Sequence, residues 1–220
     1  MGTSMPVSPS DNEWDAERIK NWIVANSRSV MIVVSAAVVL GAVYAFWQQS
    51  VRLKNERAEA AFATAQGAFY SGNTTLAKSD LEQLAARYPG TSGSTQAGML
   101  LAQILYGEGK YDDGIASLTA LLSSAPAQFK PSIEELIASG YADSNRPDDA
   151  AAHLIMAASL AEFAADQQMY RADAARMLRQ AGKTDEARAI WAELAKIPDS
   201  PMLTEAKVRL GEIDAKPATP

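Results

Sequence analysis

The sequence predicts an all-α protein: one transmembrane helix followed by a solenoid of helical hairpins. Three observations carry that prediction. A run of 18 uncharged residues, Val30 to Trp47, stands near the start of the 220-residue chain. Beyond it the composition is rich in Ala, Leu, Glu, Gln and Arg and poor in β-branched runs, which favours helices. A set of small and large residues also recurs every 36 or 37 positions around a Gly or Asn.

The chain before the span, residues 1–28, reads as a polar segment with one short helix. Ser10 and Glu13 have capping-box spacing, and the helix would carry Trp14, Ile19, Trp22 and Ile23. The span itself, residues 29–48, covers about 27 Å along its apolar core at 1.5 Å per residue, enough for a bilayer. Tyr44, Phe46 and Trp47 supply an aromatic rim at its end. A buried core helix would show one apolar stripe, whereas these residues are apolar on all sides. A cleaved signal peptide is disfavoured by Asp11, Glu13, Asp15 and Glu17 ahead of the run and by the bulky FWQQ at its end. Arg18, Lys20 and Arg28 before the span balance Arg52, Lys54 and Arg57 after it, so flanking charge leaves the orientation open. The span holds no ionisable side chain, which argues against conduction or catalysis within it. No turn residue follows, so one helix, or two joined almost without a break, should lead into the first repeat.

The repeat occupies residues 49–213, ahead of a tail, 214–220, that reads as disordered. Its turn residues are Gly72, Gly109, Asn145 and Gly182, spaced by 37, 36 and 37. Seven residues before each turn stands Ala65, Ala102, Ala138 or Ala175, and five after it Ala77, Gly114, Ala150 or Ala187. Nine after come Leu81, Leu118, Leu154 and Trp191, and twelve after come Leu84, Leu121, Ala157 and Leu194. Ala68, Leu105, Tyr141 and Leu178 stand four before. Small residues near the turn let two helices approach, and the large one fills the space against the next pair. Helix pairs are therefore expected near 55–88, 94–124, 129–160 and 164–197, with a capping helix near 200–213. Pro89 and Pro126 end the second helices of the first two pairs.

The spacing around the turn resembles the tetratricopeptide repeat, with a longer period than usual and few of its first-helix aromatics. A single helical pair cannot cover its apolar face, so stability comes from stacking. In that class of repeat a concave wall is built from first-helix positions six, ten and three before the turn. Here these are Gln66, Gln103, Ser139 and Arg176, then Phe62, Met99, Glu135 and Ala172, then Phe69, Tyr106, Ala142 and Arg179. The mixture of aromatics, Met and amides suits an extended peptide or an unfolded segment. The candidate groove is thus Phe62, Gln66, Phe69, Met99, Gln103, Tyr106, Glu135, Arg176 and Arg179.

Chemistry is poorly represented. The chain has no Cys, so thiolate catalysis, disulfides and zinc–sulfur sites are excluded. Its single His153 lies in a helical stretch with no partner that spacing can name, and reads as a surface or half-buried helix residue. No metal ligand set, phosphate loop or cofactor motif is present in the sequence, and no enzymatic role is expected. From Arg52 onward 17 basic and 22 acidic residues give 17 − 22 = −5, a balance unsuited to nucleic acid.

The front end carries a second resemblance. SDNEWDAERIKNWIVANSRSV, the single span, FWQQ, and then AEAAFATAQGAFYSGN and GKTDEARAIWAELAKIPDSPMLTEAKVRLGEI are similar to the ancillary subunit of the bacterial Sec translocon. That resemblance implies a single-pass protein of the bacterial inner membrane, with a cytoplasmic N-terminus and periplasmic repeats. It implies partners among membrane-complex subunits, periplasmic chaperones and clients, no small-molecule substrate and no catalytic residue. The alternative is a structural accessory subunit of a photosynthetic or respiratory membrane complex.

Overall fold

Each hairpin of the repeat closes with the same backbone device. In a computed structural model, which describes residues 11–215 and the side chains from residue 17 onward, Gly72, Gly109, Asn145 and Gly182 all have positive φ, from 59° at Asn145 to 83° at Gly72. The following amide, of Asn73, Lys110, Arg146 or Lys183, donates to the carbonyl five residues back, on Ala68, Leu105, Tyr141 or Leu178. The turn residue's own amide donates to the carbonyl three back, on Phe69, Tyr106, Ala142 or Arg179. These paired bonds form a Schellman cap, which requires a left-handed residue and so selects Gly or Asn. Asn145→Ala is expected to lower stability by about 1 kcal/mol and Asn145→Gly to leave it nearly unchanged. Chemical denaturation midpoints separate the two.

The regular elements among the described residues are all helices, with no strand among them. The chain divides into two compact units, residues 1–53 and 54–220. In the first, α1 (Asp11–Ala25) is separated from α2 (Ser27–Tyr70) by a one-residue turn at Asn26, whose side-chain amide donates to the Trp22 carbonyl. Ser10 and the side chains of Glu13 and Trp14 lie outside the described residues, as do residues 216–220 of the tail. Helix α2 has 44 residues, is long and apolar enough to cross a membrane, and buries none of its apolar stretch. No break falls where its composition changes from apolar to charged, as the absence of turn residues there predicts.

The second unit is a stack of four hairpins and a cap. The end of α2 pairs with α3 (Thr74–Arg87), α4 (Ser92–Gly107) with α5 (Tyr111–Leu122), α6 (Lys130–Asp143) with α7 (Pro147–Leu160), and α8 (Ala164–Gln180) with α9 (Thr184–Leu194). Helix α10 (Leu203–Asp214) closes the series, and a short 3-10 turn, Ala127–Phe129, leads into α6. The pre-turn alanines Ala65, Ala102, Ala138 and Ala175 are buried, and so are Ala77, Gly114, Ala150 and Ala187 beyond the turns. The large column, Leu81, Leu118, Leu154 and Trp191, is buried with them. The register read from the sequence is therefore the register of the core.

Close approaches fix where neighbouring hairpins meet. A Cβ on Gly93, in α4, would lie 2.6 Å from the Ala58 carbonyl carbon in α2, so glycine allows these two backbones to touch. Thr91 caps α4 beside that contact, its hydroxyl accepting from the Ser94 amide. Lys54 donates to the Pro89 carbonyl at 2.9 Å, tying the start of the unit to the end of its first hairpin.

Candidate protein-binding groove

The repeat places the expected wall residues in four different settings. Met99 and Gln103 of α4 and Glu135 and Ser139 of α6 line one cavity of about 270 Å³, together with Ser132 and Leu136. They meet because the ten-before and six-before positions of successive first helices lie side by side. At the N-terminal end of the unit, Phe62 and Phe69 pack against the cluster of Ala65, Leu81, Leu84, Ala97 and Leu100, and Gln66 beside them is half-buried. These phenylalanines contribute to the core of the first hairpin as well as to its face.

Tyr106 departs from the expectation. It is 9% exposed, its hydroxyl donates to the Leu136 carbonyl at 3.2 Å, and its ring belongs to the core of Ala102, Ile115, Leu118, Ile133 and Ile137. Two helical glycines make the room. A Cβ on Gly114 would lie 2.4 Å from Tyr106 Cε1, and one on Gly140 would lie 2.4 Å from the Tyr106 oxygen. Burial, with smaller contributions from Asp143 and Tyr141, pushes the phenol pKa up to about 12. Tyr106 is thus a pin between hairpins.

Arg176 and Arg179 lie in a separate cavity of about 280 Å³, lined also by Met177, Gln180, Trp191 and Arg209. Its charge is closed by the cap. Arg176 donates through Nε and Nη2 to Glu205 at 3.0 and 2.5 Å and also pairs with Asp173. Arg179 and Arg209 both reach Glu212. The Arg176 hydrogen bond holds the Glu205 carboxyl below the usual carboxylate range, and Arg209, then Arg179, does the same to Glu212. Ala172, the remaining position of this wall, is fully buried.

Spacing names no partner for His153, and the fold supplies one. His153 Nδ1 lies 2.6 Å from Oε2 of Glu134, a carboxylate only 4% exposed on the neighbouring helix α6. The imidazole stacks on Tyr141 at 5.1 Å, and the Arg146 guanidinium covers that tyrosine at 4.6 Å while pairing with Asp112. The group braces the two helices of the third hairpin, and the Arg146–Asp112 pair ties it to the second. His153→Ala leaves a buried carboxyl oxygen without its partner and is expected to cost about 1–3 kcal/mol. His153→Gln, which keeps a donor, should recover part of the loss in the same denaturant titration.

Stacked helical hairpins with a lined first-helix face define the class of the protein: a helical-repeat protein, of a kind whose repeats generally mediate protein–protein interaction. The chain belongs to the family described as the tetratricopeptide repeat-like domain, whose model matches residues 20–208. A comparison with curated protein sequences found no match. Among solved structures, the TPR-like repeats of a Podospora anserina kinesin light chain are similar in fold, with a TM-score of 0.53 at 15% identity. The alignment covers 72% of this chain and 85% of that one.

Proposed function

We propose that this protein is a membrane-anchored adaptor that holds other proteins in the groove of its repeat unit. The observation that carries the reading is the cavity formed by Met99, Gln103, Glu135 and Ser139 on the first-helix face of an interaction repeat. An uncharged, unburied helical run in α2 supports the anchor. In this reading residues 29–48 cross the bacterial inner membrane, residues 1–28 stay in the cytoplasm and residues 49–213 face the periplasm. The partners are a membrane complex of the Sec translocon type and the chaperones or clients that gather at it, in keeping with the resemblance at the front end.

Protease added outside spheroplasts should then remove the repeat unit and spare the first 28 residues; full protection of the repeats contradicts the topology. Purification in mild detergent, with mass spectrometry of the co-eluting chains, tests the adaptor role. An adaptor should separate from its complex at moderate salt. Retention at fixed stoichiometry with one assembly would instead make it a structural accessory subunit, such as one of a photosynthetic or respiratory complex.

A further inference from the structure

We infer that the groove takes a basic peptide, an extended segment carrying Lys or Arg side chains between apolar ones. This rests on the reading of the groove as a protein-binding surface and adds the chemistry of the partner.

The cavity at Met99 and Gln103 adjoins a larger one, of about 460 Å³, at the entrance to α6 and α8. Ser132 lines both, and the Tyr170 hydroxyl on the wall of the second donates to Glu135 on the wall of the first at 3.3 Å. The result is one groove running across α4, α6 and α8. Pro131, Leu136, Met99 and Tyr170 give it apolar walls, and Leu160 and Phe163 stand at its rim, 45% and 64% exposed.

Its charge is one-sided. The lining contains three carboxylates, Glu135, Glu162 and Asp166, and no Lys or Arg. Elsewhere in the unit the carboxylates of Glu108, Asp112, Glu205 and Asp214 are matched by Lys or Arg. Among the described residues no ion pair reaches the three groove carboxylates, and the bond given to Glu135 comes from a phenol. Lys and Arg side chains fit such a groove twice over, since the charged head meets a carboxylate while the aliphatic stem lies along apolar wall. An acidic segment would add like charge in a partly desolvated space.

The state of Glu135 supports the same partner. Loss of water pushes its carboxyl above the usual range, the Tyr170 hydrogen bond offsetting part of that rise. A carboxyl raised on folding favours the folded state most below its unfolded pKa, and that advantage is lost as pH rises through the folded value. Ionising Glu135 therefore carries a cost that a bound cation would relieve, and Glu135→Gln should raise the thermal midpoint.

The test uses the full chain in a neutral detergent and fluorescence anisotropy of a labelled nonapeptide, Ser-Lys-Leu-Ser-Lys-Phe-Ser-Lys-Leu, beside its Lys-to-Glu counterpart. The Lys peptide should bind at least about tenfold tighter, and added salt should weaken it. The combined variant Glu135→Gln, Glu162→Gln, Asp166→Asn should lose about tenfold in affinity for it without a fall in thermal midpoint. Equal or reversed preference between the peptides, or an unchanged affinity in the variant, overturns the inference while leaving the groove reading in place. Peptide release that tracks dimer formation would assign the groove to a second copy and overturn it too. Failure of both peptides to bind also overturns it, and crosslinking from Gln103 then judges the groove reading separately.

Discussion

Trp191→Ala is expected to destabilise the repeat unit by about 3–5 kcal/mol, measured as a fall in unfolding free energy by chemical denaturation. The indole is 1% exposed and sits among Ala151, Ala172, Ala175, Ala187 and Ala206, drawn from α7, α8, α9 and α10. Leu178 and Leu194 complete the buried cluster, and Met177, Ile190, Met202 and Leu210 pack against it, so how far these larger side chains relax into the vacated space sets where in that range the loss falls. The Arg176 guanidinium lies 6.0 Å from the ring centroid and grips Glu205, so the same substitution also loosens the seat of α10. A loss under about 1 kcal/mol would contradict the repeat register.

The second large effect concerns Tyr106 and changes sign with background. Tyr106→Ala removes a buried ring and its bond to the Leu136 carbonyl, and should cost about 3–5 kcal/mol. Gly140→Ala alone should cost about 1–3 kcal/mol, because its methyl would meet the tyrosine at 2.4 Å and Ile115 at 2.9 Å. In the Tyr106→Ala background the clash with the ring is gone and the methyl occupies part of the hole. Gly140→Ala should then be neutral or stabilising, since alanine also improves helix propensity by about 1 kcal/mol. A double-mutant cycle measures this coupling, and additive losses would mean that the ring and the glycine do not share the space.

Much of the fold was legible in the sequence because its constraints are local. A Schellman turn requires positive φ, so Gly72, Gly109, Asn145 and Gly182 mark hairpins on their own. The small columns on either side follow from helices crossing just beside those turns. The groove was legible where it depends only on column position, as at Met99, Gln103 and Glu135. It was not legible where another hairpin decides. Tyr106 shares a column with Phe69 and Arg179, yet only Tyr106 faces both Gly114 and Gly140. A glycine inside a helix is costly, so Gly114 and Gly140 were the available signs of a close approach, though neither names the side chain that approaches. The pairing of Arg176 with Glu205 crosses 29 residues, and that of His153 with Glu134 crosses 19, between helices whose facing sides spacing alone does not set. Leu160 and Phe163 escaped notice because they lie outside the first-helix columns, at the end of α7 and in the loop after it.

Site-specific photocrosslinking tests the adaptor reading most directly. A benzophenone side chain at Gln103, exposed on the groove wall, is compared in cells with one at Glu82, exposed on the second helix of the first hairpin. The account predicts adducts with several partner chains from position 103, reduced by the combined groove variant, and few from position 82. Equal labelling from both positions, or no adducts from position 103, would contradict it.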